Sequence, residues 1–178
     1  ICNPTGSLSV TIREEIRLPN GNMEQSINTE VIKNVNQIMK RTDTIAPTFS
    51  GSGIEILKFV DSEEQQTAGS FVRDTVKYMR FTNLCSTNFV SLYLIQDSPE
   101  AQNPNTGNVG SGDESLFKLD AGKSMVFSNA QFQGTDYYDY VVEGYVDIQY
   151  FSSFASLSSI KAKADTANVQ IEYFVASS

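Results

Sequence analysis

Apolar and polar residues alternate more regularly along SLSVTIREEIRL than anywhere else in the chain. Leu8, Val10, Ile12, Ile16 and Leu18 occupy even positions, and Ser9, Thr11, Arg13, Glu15 and Arg17 occupy odd ones, with Glu14 the exception. Successive side chains of a strand point to opposite faces, so a period of two is a strand's period; a helix needs apolar residues three and four apart. The segment is a long strand, expected to bury its even face and wet its odd one. On that reading Ile12→Asp puts a charge on an inward face and abolishes folding. Pro19-Asn20-Gly21-Asn22 follows, and Asn-Gly tolerates the positive φ of a tight turn. Ile27, Thr29, Val31 and Val35 then share a parity, so this stretch is expected to pair back as a hairpin.

The pattern repeats downstream. Ile54–Val60, Val76–Thr82 and Phe89–Ile95 read as strands, with Val90, Leu92 and Leu94 on one face. Leu116–Leu119 and Ser124–Phe127 flank Asp120-Ala121-Gly122-Lys123, which reads as a hairpin turn. Val141–Tyr150 is β-rich, Leu157–Ala164 reads as a strand rather than a helix, and Val169, Ile171, Tyr173 and Val175 alternate cleanly. Val31–Arg41 is ambiguous, because VIKNVNQIMKR also fits a helix. The expected fold is all-β: a single antiparallel β-sandwich domain over residues 1–178, jelly-roll-like, of about nine or ten strands. Residues 1–6 read as a tail and 97–115 as a long polar loop whose Pro, Asn, Gly and Ser content buries little.

The length, 178 residues, suffices for a core without disulfide staples. Cys2 and Cys85 read as two unrelated thiols, since two cysteines make no framework and no zinc site. The numbering begins at Ile1, which is expected to lie inside a longer product or after processing, and the first residues lack the regions of a signal peptide. No apolar run approaches 18 residues, so no membrane-spanning helix is expected. The net charge of −8 disfavours binding to phosphate backbones, so no nucleic-acid partner is expected. Residues 97–147 hold nine acids and two bases, a solvated surface or one that meets a basic partner or divalent cations.

The absence of histidine removes imidazole triads and histidine metal sites. Phosphate cradles, dinucleotide fingerprints and nucleophile elbows are also missing from the sequence. Asp136, Asp139 and Glu143 could supply a glycosidase carboxylate, but nothing places a second one opposite. The same run lacks the ligand spacing of a calcium loop. No enzyme activity, catalytic residue, metal or cofactor is expected. Tyr137, Tyr138, Tyr140, Tyr145, Tyr150, Phe151 and Phe154 read either as ordinary strand residues or as a candidate interface to another subunit or a sugar.

Several phrases, in order, resemble small β-rich virion structural proteins of marine and cyanobacterial tailed bacteriophages. They are Arg80-Phe81-Thr82-Asn83-Leu84, then Thr87-Asn88-Phe89-Val90-Ser91-Leu92, then Lys118-Leu119-Asp120-Ala121-Gly122-Lys123-Ser124, and Ala162-Lys163-Ala164-Asp165-Thr166-Ala167. The last two read as hairpins in that pattern. The Asp97–Ser115 insertion and the Tyr137–Phe154 run depart from it. The resemblance implies a capsid decoration (cement) protein on the outer surface of a cyanophage-like virion. Its partners would be the major capsid protein and copies of itself, as a homotrimer. The alternative is a tail-associated receptor- or carbohydrate-binding module, which would take a sugar as partner.

Overall fold

The computed structural model describes residues 6–47, 53–60, 67, 69–96, 114–128, 133–136, 149–152 and 157–178. They form an all-β protein. In chain order the strands are β1 (Gly6–Arg17), β2 (Met23–Val35), β3 (Gln37–Ile45), β4 (Ile54–Val60), β5 (Ser70–Val72), β6 (Val76–Asn83), β7 (Val90–Gln96), β8 (Glu114–Leu119), β9 (Ser124–Ser128), β10 (Gln133–Asp136), β11 (Gln149–Ser152), β12 (Leu157–Ala164) and β13 (Val169–Ser177). These thirteen exceed the nine or ten expected, because β5, β10 and β11 hold only three or four residues and carry too little alternation to be read. Strand β8 begins at Glu114, so Glu114 and Ser115 belong to a strand rather than to the polar loop. Val31–Arg41 is strand on both sides of a kink, not helix: Asn34 sits at φ 59 and Asn36 separates β2 from β3.

Two sheets enclose the core, in the orders β3-β13-β6-β9 and β5-β4-β12-β7-β8. Every pair in them is antiparallel except β4–β5. Taken in chain order, β3, β4, β6, β7, β8, β9, β12 and β13 are the eight strands of a jelly roll: first-eighth-third-sixth on one sheet, second-seventh-fourth-fifth on the other. Ile171, Tyr173, Val175, Met79 and Phe81 face Leu57, Phe59, Leu92, Leu94 and Ile160 across one continuous buried cluster. The alternation in β7 and β13 thus points where the sequence predicts.

The turns tell a different story from the one their sequences suggest. β8 and β9 lie in opposite sheets, as do β12 and β13. Asp120–Lys123 and Asp165–Asn168 are therefore corners that carry the chain across the core, not hairpins. The local requirement is the same in both cases, a tight polar turn, here with Gly122 at φ 68 and the Lys123 amide donating to Asp120. Only the pairing partner distinguishes them. The β6–β7 connection is a third corner, and Asn83 ties it to the Asp120–Lys123 corner: its amide nitrogen donates to the carbonyls of Asn88 and Leu119, while its oxygen accepts from the Cys85 amide. The Asn83 amide donates to Lys123, and the Asp165 amide to Phe89. Gly53 completes this end, since a Cβ there would collide with the Ala162 carbonyl oxygen.

β1 and β2 belong to neither sheet. Among the described residues they pair only with each other, from Gly6↔Val35 to Arg17↔Met23, and form a long ribbon. The turn expected at Asn20-Gly21 closes it: Gly21 is at φ 84, its amide donates to Leu18, and the Asn22 amide donates to the Asn20 side chain. Its burial departs from expectation. Every residue from Thr11 to Val31 is exposed, with Ile12 at 44%. Ile12 therefore does not lie on an inward face, and the expectation that Ile12→Asp abolishes folding is withdrawn.

Candidate interaction surface

The hairpin meets the sandwich only at its base. Leu8, Val10, Ile32 and Val35 pack against Tyr78, Val126, Phe174 and Ala176 on the outer face of the β3-β13-β6-β9 sheet. Tyr78 and Phe174 meet edge-to-face there, with ring centroids 5.9 Å apart. The bend that brings the two together lies at the bulge in the ribbon, where the register shifts between Gly6 and Ser7 opposite Asn34. The Asn36 amide then donates to Ser177 and joins the ribbon to the sheet.

Beyond this base a cleft of about 460 Å³ lies between ribbon and sheet, walled by Leu8, Val10 and Ile12 on one side and by Tyr78, Val126 and Phe174 on the other. Lys40 and Arg80 also line it. Glu172 holds both, at 3.0 Å from Lys40 and 2.7 Å from Arg80. The hydrogen bond from Lys40, with Arg80 adding its charge, keeps the Glu172 carboxyl below the ordinary range against the opposing effect of burial. Arg80 Nε is buried and has no hydrogen-bond acceptor. The arrangement is an apolar slot with a partly neutralised cationic floor. Among the described residues no cluster of acids or cysteines is placed to hold a metal.

The rest of the ribbon exposes apolar side chains with no layer over them among the described residues. Ile12, Ile16, Leu18, Met23, Ile27 and Val31 are all exposed large apolar residues. Two-stranded ribbons are marginal in water unless a third layer covers them. The pairing register explains why the sandwich covers so little of this one. Opposed residues share a face, and Ile12 opposes Asn28, Ile16 opposes Glu24, Arg13 opposes Ile27 and Arg17 opposes Met23. The apolar row of β1 and that of β2 therefore lie on opposite faces, and neither face is apolar enough to be core.

The aromatic residues expected at an interface are not gathered into a describable site. Tyr150 and Phe151 lie on β11, opposite Thr135 and Gly134 of β10. Tyr137, Tyr138, Tyr140, Tyr145 and Phe154 fall outside the described residues, as do Asp139, Glu143 and Cys2. Cys85 is a free thiol in the β6–β7 corner, and its pKa is lowered to about 7 by the backbone amides of Thr87 and Asn88 and by the Thr87 hydroxyl. Sequence reasoning missed the cleft, whose walls come from five separate strands. The ribbon's two-faced character was not legible either: a two-residue turn at Asn20-Gly21 would pair even positions with odd ones and put both apolar rows on one face, whereas the observed register, with Arg17 opposite Met23, pairs even with even.

Comparison with models of protein families, with curated proteins and with solved structures finds no match to this chain.

Proposed function

We propose that this chain is a non-enzymatic structural subunit of a tailed-phage virion, a decoration protein that binds the outer capsid and stabilises it. The observation that supports this most directly is the projecting ribbon, which carries exposed apolar residues far beyond any contact with its own sandwich. Such an element gains stability only by lying on another protein surface. The jelly roll is a rigid body suited to carrying it, and this fold recurs among viral capsid and lectin domains. The ordered phrases that resemble phage virion proteins fall at the corners of that body, around Asn83, Asp120 and Asp165. Net negative charge fits a surface component that must not cling to released DNA.

The test is cosedimentation of the purified protein with capsids that lack it. Saturation at a fixed stoichiometry, together with a raised temperature of capsid rupture, is expected. Failure to bind capsids, with recovery in tail fractions or on glycan arrays, replaces this reading with a tail-associated receptor- or carbohydrate-binding module.

A further inference from the structure

We propose that the partner of the ribbon is the ribbon of a second copy of this chain, the acidic face of one packed on the basic face of the next. This rests on the reading of the chain as an assembly subunit and names what it assembles with. The argument comes from the register. Along β1 and β2 the even positions form one face, where Ile12 and Ile16 stand among Glu14, Glu24 and Glu30 with no lysine or arginine. The odd positions form the other face, where Met23, Ile27 and Val31 stand beside Arg13 and Arg17. Glu15 is the acid between these arginines, at 3.4 Å from Arg13 and 2.7 Å from Arg17, and leaves that face net positive.

Each face thus joins an apolar row to a charge of one sign, and the two signs are opposite. A partner of uniform charge would suit one face and be repelled by the other. The faces of two identical ribbons complement each other in both respects: apolar row on apolar row, carboxylates against guanidinium groups. Because the two faces differ, the contact is heterologous, and a heterologous contact that repeats closes into a ring where its rotation divides a full turn and otherwise grows into a filament; a ring is the outcome expected here.

The experiment measures mass by light scattering and sedimentation velocity at high micromolar concentration for the intact chain and three variants. The variants are Glu14→Lys/Glu24→Lys, Arg13→Glu/Arg17→Glu, and the combination of all four changes. These residues are exposed, and circular dichroism and thermal melting check that each variant folds. The wild type is expected to be a closed oligomer. Each double variant sets like charges face to face and is expected to weaken association at least about tenfold. The fourfold variant has its charges exchanged between faces and is expected to reassociate. A monomeric wild type, double variants that assemble unchanged, or a fourfold variant that stays apart would each overturn the proposal. A monomer that still saturates capsids rejects this contact alone, whereas a well-formed ring that ignores capsids rejects the virion reading alone.

Discussion

Asn83 is fully buried, yet both ends of its amide are used, on three backbone groups. Asn83→Ala leaves the Asn88 and Leu119 carbonyls and the Cys85 amide without that partner. It should cost about 2–4 kcal/mol of stability, read from urea unfolding. Nearby, Cys85 offers a pH readout of the same corner. Its thiolate is favoured in the folded protein, so alkylation by iodoacetamide should rise with a midpoint near pH 7, about 7 being the folded value. Unfolding should return that midpoint to the ordinary thiol range of about 8.5. The folded pKa lies below the unfolded one, so the stability it contributes is complete above the unfolded value and fades as pH falls through the folded one. Thr87→Val removes one donor and should raise the midpoint.

At the scale of elements, alternation read the strands well and their partners poorly. β7 and β13 bury the residues their parity selects, because both lie inside a sheet with the core on one side. β1 alternates just as cleanly and buries almost nothing, because periodicity reports a strand's two faces and not what covers them. The same limit turned two corners into expected hairpins: Gly122 meets the needs of either, and only the sheet assignment of β8 and β9 decides. The cleft was illegible for a related reason, since Lys40, Arg80 and Phe174 come together only through the β3-β13-β6 pairing. A direct check compares two matching substitutions at low protein concentration. Ile12→Asp, on the exposed ribbon, should change unfolding free energy by less than about 1 kcal/mol, while Leu92→Asp, at 0% exposure, should prevent cooperative folding.

For the molecule as a whole, the structure divides stability unequally. The sandwich holds a continuous core and a set of interlocked corners, whereas the ribbon past Val10 holds only its own ladder. Hydrogen exchange should report that division. Amides of Thr11–Val31 should exchange quickly in dilute protein and slow markedly when concentration drives association, while β6, β12 and β13 stay protected throughout. Equal protection of the ribbon at every concentration would mean that it needs no partner. Because association binds the native form alone, the melting temperature should also climb with protein concentration.

The ribbon's turn has a consequence for how the protein ages. Asn-Gly pairs lose ammonia when the glycine amide nitrogen attacks the asparagine side-chain carbonyl; water then opens the ring to leave a carboxylate. In the closed turn the nucleophile is occupied, the Gly21 amide donating to Leu18, and the Asn20 side chain is tied down by its bond from the Asn22 amide. A ribbon that frays releases them, and the new negative charge would then sit at its tip. Mass spectrometry of stored protein should find Asn20 converted faster in dilute than in assembled samples, so that the chemical record at one side chain dates how long each copy has spent alone.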